Sequence, residues 1–149
     1  MKLITVIGSA GFMGVMLAIS SLIPFFYLAG PTAFEEWFAA YFVFFLAGVF
    51  ITSLPAFGGS IALMRRSPKG TNERRRWRDT LLGLAFVYGV TMAVHLPINI
   101  SFWSFELSDA AITANLGLWS AAHLLRIAGA LYASVNAFRA ISQSNEQLA

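Results

Sequence analysis

Four stretches of this chain are too long and too apolar for the surface of a water-soluble domain: residues 3–28, 38–64, 80–98 and 116–138. Each is near the roughly 20 residues that a helix needs to cross the hydrocarbon of a bilayer. The first two contain no charged residue. With 58% hydrophobic and only 11% charged residues, the chain cannot cover a soluble fold of 149 residues with polar surface. These stretches predict an all-α integral membrane protein, an antiparallel four-helix bundle that forms a single transmembrane domain over residues 1–149. The opening MKLITVIGSAGFMG resembles a signal peptide in its lysine and apolar run, but the run continues beyond such a core and reads as a mature helix.

Charge placement orients the bundle. Seven of the ten Lys and Arg lie between Arg65 and Arg78, whereas the segments holding Glu35, Glu36, Glu106 and Asp109 carry no base. The positive-inside rule therefore puts the basic loop and both termini in the cytoplasm, and in a bacterium the membrane is the cytoplasmic one. Clustered beside two spans, these bases read as a topology signal and a contact for anionic membrane lipids rather than a nucleic-acid surface. The absence of cysteine excludes disulfides, thiolate metal sites and thiol nucleophiles. Homo-oligomerisation is left open.

Helix ends and contacts follow from local chemistry. Thr71 or Asn72 is placed to cap the third span, and Ser108 or Thr113 to start the fourth. Gly8, Gly11, Gly14 and Ala18 thin one side of the first span and invite close helix contact. Pro24, Pro55 and Pro97 remove amide donors, which deprives the carbonyls of Ser20, Ile51 and Ala93 of their usual partners.

Two polar stripes carry the candidate chemistry. In LWSAAHLLR, Trp119, His123 and Arg126 stand at i, i+4 and i+7, on one face of a helix. Tyr88, Met92, His95 and Asn99 follow comparable spacing on the third span. Counting about 1.5 Å per residue inward from the outer ends places both histidines in the outer half of the membrane. Arg126 stays charged in lipid at a cost of about 2.5 to 3.5 kcal/mol, so it needs an anion, carbonyls, water or a bound ligand. Among acids, Glu35, Glu36, Glu106 and Asp109 are the candidates.

A neutral His123 beside a fixed positive charge makes a useful pair. The imidazole can take a proton from carbon while the guanidinium stabilises the oxyanion that forms on the adjacent carbonyl. Trp119, Trp103, Phe102 and Phe105 can wall such a site for a flat aromatic ligand, although Trp103 also suits an interfacial anchor. Two other classes fit the same residues. His95 and His123 can ligate a haem or metal between helices, or the cluster can serve a carrier without catalysis.

HLPINISFW followed by LWSAAHLLRIAGAL resembles the anthrone oxygenase-like family of small four-helix membrane proteins. In that family a Pro-x-Asn near the end of the third helix precedes a Trp, His and Arg pattern in the fourth. The matching residues here are Pro97, Asn99, Trp119, His123 and Arg126, and the match covers mainly the second half of the chain. Ile100 and Ser101 stand where relatives often carry basic residues. The resemblance implies oxidation of a lipophilic aromatic or polyketide-type ketone by dioxygen with no cofactor and no metal. His123, Arg126 and Asn99 would then be catalytic, and His95, Trp119, Met92, Tyr88 and Trp103 would contact substrate.

Overall fold

The computed structural model describes residues 1–104 and 106–146, with side chains described through residue 142. The described residues form helices joined by short connections: α1 (Lys2–Ala29), α2 (Pro31–Arg66), α3 (Asn72–Val90), a π-helical turn (Thr91–His95), α4 (Leu96–Trp103) and α5 (Asp109–Glu146). The α3, π and α4 segments run on as one rod, so the described residues form four rods in a helical bundle. Three of these, α1, α2 and the rod Asn72–Trp103, are long and apolar enough to cross a membrane. Helix α5 has the length, 38 residues, but houses both His123 and Arg126 in its middle. The helices extend beyond the predicted apolar stretches, since polar residues continue each rod past the segment that lipid could cover.

Local chemistry explains the connections. A single residue, Gly30, joins α1 to α2 with φ of 89°, a left-handed value that a side chain resists, and Pro31 then starts α2. Thr71 caps α3 by accepting the Arg74 amide at 3.2 Å. Ser108 receives the Ala111 amide at 3.4 Å, whereas the Thr113 hydroxyl donates back to Asp109 inside the helix. The ion pair of Lys2 with Glu73, at 2.7 Å, brings the N-terminus beside the basic loop. Glu35, Glu36, Glu106 and Asp109 belong to the opposite end, so the charge asymmetry read from the sequence survives in the folded bundle.

Three apolar clusters fill the interior along its length. Trp77, Val6, Leu63 and two alanines of α5 pack at the basic end. Phe12, Met16, Leu84 and Val87 occupy the middle. Phe26, Phe34, Phe38 and Phe102 form an aromatic layer at the acidic end. Close approach of α3 and α5 rests on Gly83 and Gly129, since a β-carbon on Gly83 would stand 2.8 Å from the Gly129 carbonyl oxygen. Gly8 and Gly11 likewise admit Thr52 of α2, while Gly14 has open space about it and contributes no such contact.

Candidate functional site

The α5 face carrying Trp119, His123 and Arg126 turns inward. His123 is fully buried and Arg126 only 6% exposed, whereas Leu118, Leu124 and Leu125 on the other side are exposed. The Trp119 indole stacks on the His123 ring, with centroids 5.0 Å apart and planes 13° apart. It meets the His95 ring edge-on, also at 5.0 Å. Its Nε1 donates to Asn99 Oδ1 at 3.1 Å, which ties α5 to α4. The two imidazole centroids lie 6.0 Å apart.

The π turn departs from the expected single stripe. Pro97 has no amide hydrogen for the Ala93 carbonyl, and its ring crowds that oxygen. The preceding turn widens, and the Leu96 amide bonds to the Thr91 carbonyl five residues back. His95 is consequently buried while Met92 is 61% exposed. Tyr88, Met92 and Asn99 still share one pocket wall, but His95 faces Trp119 and His123 instead.

Two apolar pockets meet at Arg126, Asn99 and Thr91. The first, a narrow cavity of about 70 Å³, is walled by rings including Phe26, Phe34, Trp37, Phe38 and Trp119. The second, of about 260 Å³, lies between α2 and the rod of α3 and α4, with Tyr88, Met92, Leu96, Ile100 and Trp103 in its wall beside Phe12, Phe42 and Phe50. Tyr88 is held there by a 2.6 Å hydrogen bond with Ser53. Trp103 packs edge-on against Phe38 and Phe42 while remaining half exposed, so it is both wall and outer surface.

Arg126 is the unusual member of this wall. Among the described residues no carboxylate pairs with it, and its Nε has no hydrogen-bond partner. Glu35, Glu36, Glu106 and Asp109, the acids expected to answer it, form no such pair. A guanidinium in this position presents donors to whatever fills the pockets.

The histidines are placed differently from that expectation. His123 Nε2 lies 2.9 Å from the Met16 carbonyl oxygen, an acceptor, so Nε2 carries the hydrogen and Nδ1 carries the lone pair. His123 Nδ1 and both nitrogens of His95 are buried without partners. Neither imidazole lines the pockets, and Trp119, which does, contacts both. The structure therefore gathers Arg126, Asn99, Trp119, Tyr88, Met92 and Trp103 around the pockets, with His95 and His123 behind the indole.

Sequence reasoning missed Thr91, the Met16 carbonyl and the aromatic wall supplied by α2. The last had a signal, because Phe34, Phe38, Phe42 and Phe45 recur at helical spacing. Of the proposed aromatic wall, Phe102 is buried against Phe34 and Phe38, and Phe105 lies outside the described residues. Among the described residues no three His, Asp or Glu side chains are grouped to hold a metal ion. Comparison with protein-family models, curated proteins and solved structures yields no match.

Proposed function

We propose that this chain is a four-span membrane enzyme that oxidises a lipophilic aromatic ketone by way of its enolate, with the basic loop and both termini in the cytoplasm. The observation that carries this reading is Arg126, a buried guanidinium with no carboxylate partner among the described residues, facing a pocket walled by aromatic rings. The resemblance of HLPINISFW and LWSAAHLLRIAGAL to anthrone oxygenase-like proteins supports the same chemistry.

In the proposed reaction the ligand lies among the rings with its carbonyl oxygen at Arg126. Removal of an acidic C–H proton leaves an enolate whose negative oxygen the guanidinium holds. Asn99, whose Oδ1 accepts from Trp119 while the pocket is empty, has its amide hydrogens turned away from that bond and available to the ligand. Dioxygen takes the electron pair of the carbanion and forms a C–O bond. The resulting hydroperoxide loses water to give a second carbonyl, so a CH2 group and one O2 become C=O and one H2O.

His123 is the proposed base through its Nδ1 lone pair. That route requires the Trp119 indole to leave its bond with Asn99 when ligand fills the pocket, because the indole separates the imidazole from the ring-lined space. Purified protein given anthrone is expected to form anthraquinone and consume one O2 per product, faster than the spontaneous reaction. Turnover no faster than that background, with anthrone still bound, would favour a carrier, the reading suggested by the enclosure of both histidines. The bis-histidine haem reading meets a geometric obstacle, since Trp119 lies within 5.0 Å of both imidazoles and leaves no gap for a macrocycle. Protein purified from haem-replete cells is expected to lack a Soret band, and a band lost on replacing either histidine would reverse this ranking.

Topology is testable because the chain has no cysteine of its own. Ser67, in the basic loop, is buried and bonds to Leu63, so Lys69 is the better labelling position, paired with exposed Ser108 at the other end. Lys69→Cys and Ser108→Cys are expected to react with an impermeant maleimide from opposite sides. Labelling of both from one side would end the four-span arrangement.

A further inference from the structure

The two pockets that meet at Arg126 differ most in size. The wide one, of about 260 Å³, exceeds the roughly 150 Å³ of apolar cavity that accepts a single benzene ring, and the narrow one, of about 70 Å³, falls well short of it. The ketone of the proposed reaction therefore belongs in the wide pocket, where Phe12, Phe42, Phe50, Tyr88 and Trp103 supply the rings around it. The narrow cavity has another character. Its lining is mostly hydrocarbon, with Ile19, Phe26, Phe34, Phe38 and Phe45 prominent. Two polar groups in its wall are already engaged, since the Thr91 hydroxyl donates to the Val87 carbonyl and Trp119 Nε1 to Asn99 Oδ1. An apolar cavity with so few free hydrogen-bonding groups stays dry and takes up small apolar guests such as xenon.

We infer that the narrow cavity is a dioxygen site, a small apolar chamber that holds O2 beside Arg126 while the ketone occupies the wide pocket. This rests on the proposed function and gives its second reactant a place. O2 is apolar and far smaller than a benzene ring, so it suits a space that admits no part of a fused-ring ketone. Arg126, Asn99 and Thr91 belong to both walls, so an enolate held by the guanidinium lies next to the chamber. The two reactants then meet without competing for one space, and the balance of one O2 per CH2 converted to C=O is unchanged.

Xenon serves as the probe of the chamber, located by its anomalous scattering in crystals of the parent protein held under the gas. It is expected in the narrow cavity, against Ile19 and Phe45. The second arm is Phe45→Trp, which adds bulk to this wall from a partly exposed position and touches no part of the wide pocket. Anthrone affinity measured without oxygen should stay as in the parent. The oxygen concentration for half-maximal anthrone oxidation should rise about tenfold with turnover at saturating oxygen retained, the pattern of lost binding rather than lost chemistry. Xenon absent from the cavity, or an oxygen dependence in Phe45→Trp equal to that of the parent, would overturn the dioxygen site while leaving the enolate reading standing. A loss that is the same at every oxygen concentration would overturn it too. Failure of the parent to bind or to oxidise anthrone would overturn the underlying reading itself.

Discussion

Replacing Arg126 with leucine is expected to leave the bundle assembled and at least as heat-resistant in detergent as the parent, while turnover of a suitable ketone falls by about 10² to 10³, as for loss of an oxyanion donor. The stability side follows from the missing counter-charge. No described carboxylate pairs with Arg126, so its removal strands no acid and relieves a buried charge, whose cost within a membrane-spanning helix is about 2.5 to 3.5 kcal/mol. The activity side follows from its place at the junction of both pockets. Arg126→Lys should also be damaging, because an ammonium keeps the charge but loses the planar fork that holds an oxygen in one position. His123→Gln is expected to keep its link to the Met16 carbonyl through the amide and to lose about 10² in turnover, as when a general base is removed. The measurement is turnover against thermal midpoint for the three variants. Near-native turnover in all of them would make the cluster a structural device that holds helices together.

The largest stability effect is expected at Gly83. A β-carbon there would stand 2.8 Å from the Gly129 carbonyl oxygen and 3.0 Å from the Ala133 amide nitrogen, both backbone atoms that cannot turn aside. Gly83→Leu must therefore push α3 away from α5, and with it the wall that carries His123 and Arg126. Overpacking a core ordinarily costs about 1 to 3 kcal/mol, and displacement of two packed helices exceeds that range. A fall of about 10 °C or more in the thermal midpoint, or failure to fold, is expected. Gly89→Ala in the same helix is the control. Nothing lies within 4 Å of its β-carbon position, so it should be neutral or gain from the better helix propensity of alanine. Equal losses at both positions would show that the close approach of α3 and α5 is not what Gly83 provides.

The amino-acid sequence by itself determined the helical class, the four helical rods, the segregation of basic and acidic ends, and the sharing of one face by Trp119, His123 and Arg126. All of these depend on composition or on the period of a single helix, which sequence spacing records directly. Tertiary structure decided the rest. The π turn before Pro97 separated His95 from Met92, although a regular helix would have left them on neighbouring positions of one stripe. Contacts between helices placed Trp119 between the imidazoles and the pocket, gave the Met16 carbonyl to His123, and left Arg126 without an acid among the described residues. Such contacts join residues as far apart as 107 positions, and no periodicity in the chain encodes which backbone oxygen will arrive beside which ring.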